Sequence, residues 1–164
     1  MPLVLSSIGL GVIVAAVLAW QFFVHALSDP TPLAVGIRID GTQVAIKVAT
    51  CPTETVDKVE VFDGDTEERL WAARTPKSPE GKRGALSLWA ADEYEHPGSG
   101  QQPKPLPRRL DILLTQEGGD GGGGGVVDTA AARAANVPNG QYWTANGLMS
   151  AEAIDGQLTC DSSE

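Results

Sequence analysis

The side chains best suited to catalysis are few, and the sequence does not group them into a known arrangement. A serine or cysteine nucleophile usually needs a histidine as its base, and the sequence has only His25 and His96. His25 lies in an apolar N-terminal stretch, and His96 lies in a Pro-rich segment, where a solvated loop histidine is the simpler interpretation. The GxSxG and HExxH motifs of serine and zinc hydrolases are missing. We therefore predict no catalytic residues and no enzymatic activity.

Two acidic clusters could instead hold a divalent metal ion. Asp63, Asp65 and Glu67 alternate as at the start of a calcium loop, since calcium prefers several hard oxygen ligands. The EF-hand pattern then fails, because Glu68 stands where a glycine belongs and Arg74 where the bidentate glutamate belongs. The second cluster consists of Asp92, Glu93, Glu95 and His96. Both clusters are weak metal candidates with a solvated acidic turn as the alternative, and we predict no bound metal and no cofactor.

The two cysteines, Cys51 and Cys160, allow a single intrachain pairing. The alternatives are buried free thiols, a redox pair or a metal site, but the chain has no CxxC motif. We predict a disulfide, which indicates an oxidising compartment. On the chain-entropy model, closing a loop of about 100 residues contributes around 4–5 kcal/mol. The disulfide also indicates that the domain after residue 28 lies outside the cytoplasm.

Three tryptophans are candidates for core anchors or for an exposed binding platform. Trp89 has the strand parity of Ala85 and Ser87, opposite Leu86 and Leu88, which predicts an outward ring if the leucines face the core. An outward Trp89 would bind a partner or a glycan, or would pack under the long loop that follows it. For Trp71 and Trp143 we predict core positions.

The elements that must position these side chains are mainly β-strands. Residues 35–39 and 44–48 alternate between apolar and other side chains and are joined by Asp40-Gly41, a strong hairpin signal. Further candidate strands are residues 58–62, 69–73, 85–90, 110–115, 141–145 and 157–160. About eight short strands with frequent turns indicate an antiparallel β-sandwich, immunoglobulin-like in general form. The cysteine spacing of true immunoglobulin domains is not met.

Three segments interrupt the strand pattern. Residues 91–109 contain four prolines and are predicted to form a long Pro-rich loop. Residues 117–125 are almost entirely glycine and are predicted to be a flexible Gly-rich insertion within the domain. One short helix is expected at residues 129–135, with Asp128 as its N-cap.

The N-terminal residues 1–28 carry no charged side chain. At a rise of about 1.5 Å per residue, a helix from Leu3 to Phe23 would span the hydrocarbon core of about 30 Å. Aromatic residues gather at its far end, and no basic residue precedes it. We predict one transmembrane anchor at residues 1–28, followed by an extracytoplasmic domain at residues 33–164. The alternative is a signal peptide cleaved after Ala26, which would make the protein secreted.

A stripe of small residues recurs along the predicted transmembrane helix. Its members are Ser7, Gly11, Ala15 and Ala19. Such spacing lets a second helix approach closely, although a chain rich in alanine and glycine can produce it by chance. The stripe predicts a helix–helix contact with another membrane protein.

The charged residues place a limit on the partners of the domain. The chain has 21 acidic and 12 basic side chains and a net charge of −9, so a nucleic acid partner is disfavoured. We predict membrane lipid and another membrane or envelope protein as partners, with a structural or accessory role in the bacterial cell envelope. The alternative function is an anchored or secreted module that binds glycan or calcium.

Overall fold

The computed structural model describes residues 33–119 and 122–160 of the 164-residue chain. The predicted anchor at residues 1–28, with the stripe Ser7, Gly11, Ala15 and Ala19, lies outside the described residues. Within the described ranges, no helix combines the length and the apolar character needed to cross a bilayer.

The described residues form two five-stranded antiparallel sheets, which confirms the mainly β fold. The strands are β1 (Gly36–Asp40), β2 (Gln43–Lys47), β3 (Val56–Asp63), β4 (Arg69–Pro76), β5 (Ala85–Leu88), β6 (Tyr94–His96), β7 (Arg109–Gln116), β8 (Gly122–Asp128), β9 (Gln141–Thr144) and β10 (Gly147–Ser150). The first sheet has the order β10-β9-β1-β2-β5, and the second has the order β6-β4-β3-β7-β8.

The alternation of side chains brings both sheets around one apolar core. Ile37 of β1 lies opposite Ile46 of β2, and neither side chain has exposed surface. In the second sheet, Val61 of β3 lies opposite Ile112 of β7 and is equally buried. All four belong to one cluster of buried residues drawn from both sheets. Because burying a side chain of this size contributes about 1.5–3 kcal/mol, this core holds the two sheets together as a sandwich.

The first hairpin confirms the turn predicted from Asp40-Gly41. Asp40 pairs with Gln43, so the loop has two residues, Gly41 and Thr42. Gly41 has a φ of 58°, the left-handed conformation that two-residue hairpin turns require and that glycine adopts without strain.

The described residues include three short helices: α1 (Pro79–Lys82) between β4 and β5, α2 (Thr129–Ala134) between β8 and β9, and α3 (Ala151–Asp155) after β10. The helix predicted at residues 129–135 is confirmed as α2. Its N-cap is Asp128, whose Oδ1 accepts a hydrogen bond from the backbone N–H of Ala131 at 2.8 Å.

The strand predicted at residues 157–160 is wrong. Helix α3 ends just before these residues, and the Ser150 hydroxyl caps its start by accepting from the Ala153 N–H at 3.2 Å. The backbone then continues in a turn, where the Leu158 N–H donates to the Asp155 carbonyl at 3.1 Å. These local hydrogen bonds replace the ladder that a strand would have formed.

The flexible insertion predicted at residues 117–125 is wrong for its second half. Gly122 to Gly125 begin β8, which pairs with β7 along its whole length. A Cβ atom at Gly124 would lie 2.1 Å from the carbonyl oxygen of Ile112, and one at Gly122 would lie 2.3 Å from that of Leu114. Glycine is therefore used here for the close approach of two strands and not for flexibility.

The Pro-rich loop predicted at residues 91–109 is shorter than expected. A 3-10 turn at Ala91–Glu93 and strand β6 occupy its first part, and β7 begins at Arg109. Strand β6 forms because Tyr94 is buried beside Trp71, with ring centroids 5.4 Å apart. The remaining loop lies against β4, since a Cβ atom at Gly98 would overlap the Ala72 carbonyl.

Candidate functional site

The predicted disulfide between Cys51 and Cys160 is confirmed. The two Cα atoms are 5.7 Å apart, although 109 residues separate them in the sequence. Cys51 lies in the connection between β2 and β3, whereas Cys160 follows α3. The bond therefore ties residues 151–160, which we call the C-terminal clasp, to the end of the first hairpin.

A buried ion pair joins the clasp to β2. The Lys47 ammonium donates to Asp155 Oδ1 at 2.5 Å, and the side-chain exposures are 2% for Lys47 and 30% for Asp155. Lys47 also donates to the carbonyls of Arg83 and Val48, at 2.7 and 3.1 Å. The same Asp155 oxygen accepts from the Thr50 N–H at 3.0 Å. Every proton of the buried ammonium therefore has an acceptor, as burial of a charge requires.

The clasp also binds Ala34, next to the first described residue. The Ala34 N–H donates to Gln157 Oε1 at 2.8 Å, and Gln157 Nε2 donates to the Ala34 carbonyl at 3.3 Å. Ile154 is fully buried in a second apolar cluster with Tyr142, on the face of the first sheet away from the main core. A Cβ atom at Gly36 would come within 2.7 Å of Ile154, so this glycine lets α3 lie flat on the sheet.

Trp89 does not continue the inward–outward alternation of β5, so its ring does not point outward as the strand parity predicted. Leu86 and Leu88 face the core as expected, but Trp89 has a φ of 60° just after the strand ends. That turn directs its ring back onto the core, where its centroid lies 6.0 Å from that of Trp71. Its indole N–H is buried and has no hydrogen-bond partner among the described residues.

A cavity of about 260 Å³ lies beside the half-buried Trp89. Its polar lining includes the side chains of Arg38, Asp40, Gln43, Glu93 and Gln102, together with Thr42 and Ser87. One guanidinium, two carboxylates and two amides around an aromatic ring can hydrogen-bond a neutral polyhydroxyl compound. These residues include Arg38, which lies above the Tyr142 ring at 5.8 Å.

The other two tryptophans divide between the core and its border. Trp71 is buried, with 2% of its surface exposed, as predicted. Trp143 is half-buried and packs against the same core. Tyr94 completes the aromatic group beside Trp71, and its hydroxyl donates to the Ser87 carbonyl at 2.9 Å. Burial raises the pKa of the Tyr94 phenol.

The acidic turn proposed as a weak calcium site uses its carboxylates for local structure. Asp63 Oδ1 accepts from the backbone N–H groups of Asp65 and Thr66, at 2.8 and 3.2 Å. Asp65 Oδ1 accepts from both Nη2 and Nε of Arg109, at 2.5 and 2.9 Å. Glu67 is exposed. Across the described ranges, no three His, Cys, Asp or Glu side chains come together to hold a metal ion.

The second acidic cluster is spread over a 3-10 turn and an edge strand. Asp92 and Glu93 belong to the turn, and Glu95 and His96 belong to β6. All four residues are exposed, and His96 lies opposite Arg74 of β4. This arrangement gives His96 a solvated position at the sheet edge.

The outer face of the second sheet divides into a charged half and an apolar half. On β3 and β4, Glu60 forms ion pairs with Lys58 and Arg69, at 2.8 and 3.3 Å, which lower the pKa of its carboxyl. On β7 and β8, Leu113 and Val126 are 49% and 54% exposed. We call these two residues, with the intervening glycines of β8, the β7–β8 apolar face.

The sequence predicted the disulfide that holds the clasp, but not the clasp's helix α3, its ion pair with Lys47 or the apolar face. The parity of Leu113, opposite to that of the buried Leu110, Ile112 and Leu114, could have indicated an outward leucine. Nothing local marks Lys47 as buried, because its burial depends on a helix more than a hundred residues away in sequence.

Comparisons with known proteins give no relative. The chain matches no protein-family model, no curated protein and no solved structure.

Proposed function

We propose that this protein is a single-pass membrane protein of the bacterial cell envelope. Its extracytoplasmic β-sandwich, immunoglobulin-like in general form, would act as a structural or accessory interaction module. The observation that carries the proposal is the Cys51–Cys160 disulfide, because structural disulfides persist mainly in oxidising compartments.

The position of the disulfide supports an interaction module of fixed form. The uncharged residues 1–28 precede the domain, and the first described residues are bound by the clasp through Gln157. The disulfide holds that clasp covalently. An anchor that precedes the domain would join it at a segment that the clasp binds, as suits an interaction module of fixed form.

The location can be tested in cells that express the full chain. Thiols are blocked during lysis, membranes are isolated, and the intact mass of the purified chain is measured. We expect a membrane-bound, uncleaved chain whose mass is two hydrogens below that of the reduced form. Protease added to intact spheroplasts should digest the domain. A reduced chain that such protease leaves intact would contradict the extracytoplasmic location. A shortened chain in the medium would indicate a cleaved signal.

The partner can be tested through the predicted transmembrane helix. Replacing Ser7, Gly11, Ala15 and Ala19 with leucine should abolish co-purification of a membrane protein from detergent-solubilised membranes. The matched control replaces Gly9 and Ala16 with leucine, since these small residues lie on the opposite face of the predicted helix. Equal loss in both variants, or no loss in either, would refute a contact through the stripe.

A second candidate function, a glycan-binding module, has one observation in its favour. The cavity beside Trp89 combines an aromatic ring with hydrogen-bonding side chains, the usual lining of small-molecule sites. Binding should change the tryptophan fluorescence, and Gln43→Ala in the cavity wall should weaken that change. No fluorescence or thermal response across a panel of envelope glycans would remove this candidate.

A further inference from the structure

The unpaired edge of β8 is the least protected sheet edge in the described part of the chain. Its seven residues compare with four in β5, three in β6 and four in β10, the other edge strands. Edge strands of monomers are usually short or carry charges or prolines that prevent pairing. Between Gly122 and Val127, β8 has neither a charged residue nor a proline. Within residues 33–119 and 122–160 no strand pairs with its outer edge, which can therefore accept a further strand.

We propose that β8 is the interface of a two-fold homodimer, in which two copies of β8 pair antiparallel and join their second sheets into one. This proposal does not depend on the cellular role proposed above. The strand that pairs with this edge is β8 of a second copy. The glycines in the first half of β8 leave room for the larger side chains in the second half of the other β8.

Antiparallel pairing of all seven residues fixes the register. The central residue, Gly125, then lies opposite its own copy. Val126 lies opposite Gly124 of the second copy, and Val127 lies opposite Gly123. Asp128 lies opposite Gly122, which keeps the two aspartates apart. Each side chain in the C-terminal half of one strand thus faces a glycine in the other.

The same register continues the β7–β8 apolar face across the two-fold axis. Leu113 lies opposite Gly124 of its own chain, and Gly124 leaves it uncovered. In the dimer, Val126 of the second copy occupies the next position of that row, about 10 Å from Leu113 across two strand spacings. The two exposed apolar side chains therefore flank a position without a side chain. The two-fold axis repeats this row in the other half of the joined sheet, as an isologous interface requires.

Cross-linking tests this register in the full chain in mild detergent. Val126→Cys supplies the one free thiol, since both native cysteines form the disulfide. Residue 126 and its copy occupy diagonal positions about 7–8 Å apart, within reach of a bismaleimide with a spacer of similar length. We expect a covalent dimer from Val126→Cys and none from Leu148→Cys. The control residue is 45% exposed but lies on β10.

The mass in solution gives the second measurement. Light scattering with detergent subtraction should give the wild type twice the chain mass of 17.2 kDa. Val126→Lys should be monomeric, because it places two ammonium groups near the two-fold axis, and Leu148→Lys should remain dimeric. An intact disulfide and a single cooperative thermal transition show that each variant folds, although a monomeric variant should melt at a lower temperature than the dimer.

Three results would overturn the proposal. A monomeric wild type at micromolar concentration would show that the edge is closed in another way. A Val126→Lys chain that is still dimeric would place the contact elsewhere, for example in residues 1–32. Equal cross-linking through residues 126 and 148 would indicate random collisions within micelles.

Discussion

Removal of the Asp155 carboxylate should destabilise the protein far more than removal of an exposed carboxylate at the same distance from its partner. Asp155 and Asp65 each accept a hydrogen bond from a cationic side chain at 2.5 Å. The cation beside Asp155 is Lys47, which is 2% exposed, whereas the cation beside Asp65 is Arg109, which is 51% exposed. The two pairs share this distance and differ in burial, while Asp155 also accepts from the Thr50 N–H and Asp65 accepts twice from Arg109.

The expected cost follows from what each cation loses. Removing one partner of a buried pair costs about 3–5 kcal/mol, because the remaining charge stays buried without compensation. After Asp155→Ala, the Lys47 ammonium keeps two carbonyl acceptors, and the space left by a 30% exposed side chain can admit water. We therefore expect a loss near the lower limit, about 3 kcal/mol. Asp65→Ala frees a guanidinium that water already reaches, so its loss should be at most about 1 kcal/mol.

Urea unfolding of the oxidised full chain in mild detergent measures both changes. Lys47→Met should cost less than Asp155→Ala, because the partly exposed carboxylate that remains can be hydrated. The double variant Lys47→Met/Asp155→Ala should be more stable than Asp155→Ala alone, since it leaves no buried charge. Equal losses from Asp155→Ala and Asp65→Ala, or additive losses in the double variant, would refute the reasoning.

Three further changes test other parts of the fold by the same unfolding measurement. Replacing Cys51 and Cys160 with serine should cost about 4 kcal/mol, because the unfolded chain loses a constraint across 109 residues; a loss below about 1 kcal/mol would contradict this. Gly124→Ala should cost more than about 1 kcal/mol, since its Cβ would meet a carbonyl at 2.1 Å, whereas Gly123→Ala, with a nearest contact of 3.3 Å, should change stability by at most about 0.5 kcal/mol. Because burial raises the Tyr94 pKa above its ordinary value of 10, the neutral phenol stabilises the fold below pH 10, and this contribution is lost as the pH rises further. Tyr94→Phe should therefore lose less stability above pH 10 than the wild type, and parallel alkaline profiles would exclude the effect.

Local signals predicted those elements whose causes are local. The hairpin at Asp40-Gly41 follows from turn chemistry between two alternating segments, and α2 follows from the cap at Asp128. The disulfide followed from counting, because only Cys51 and Cys160 were available. In each case the residues are neighbours in the sequence or, like the two cysteines, have a single possible pairing.

Features set by distant contacts were missed or mistaken. Glycine favours flexible segments when composition alone is considered, yet the carbonyls of β7 require glycine at Gly122 and Gly124. The inward–outward alternation of β5 stops before Trp89, because a positive φ at that residue directs its ring inward toward Trp71. Lys47 has the parity of a solvated residue, and only α3 buries it. Tertiary contacts decided all three positions.

The clasp shows why its restraints must be considered together. The ion pair of Asp155 and the disulfide of Cys160 hold the same ten-residue segment, so neither contributes independently of the other. With the disulfide intact, the segment stays beside β2. A substitution of Asp155 then lowers the free energy of unfolding of the whole domain. Without the disulfide, the clasp can detach locally and let water reach Lys47 before the sandwich unfolds. The disulfide therefore makes burial of the lysine part of the cooperative fold.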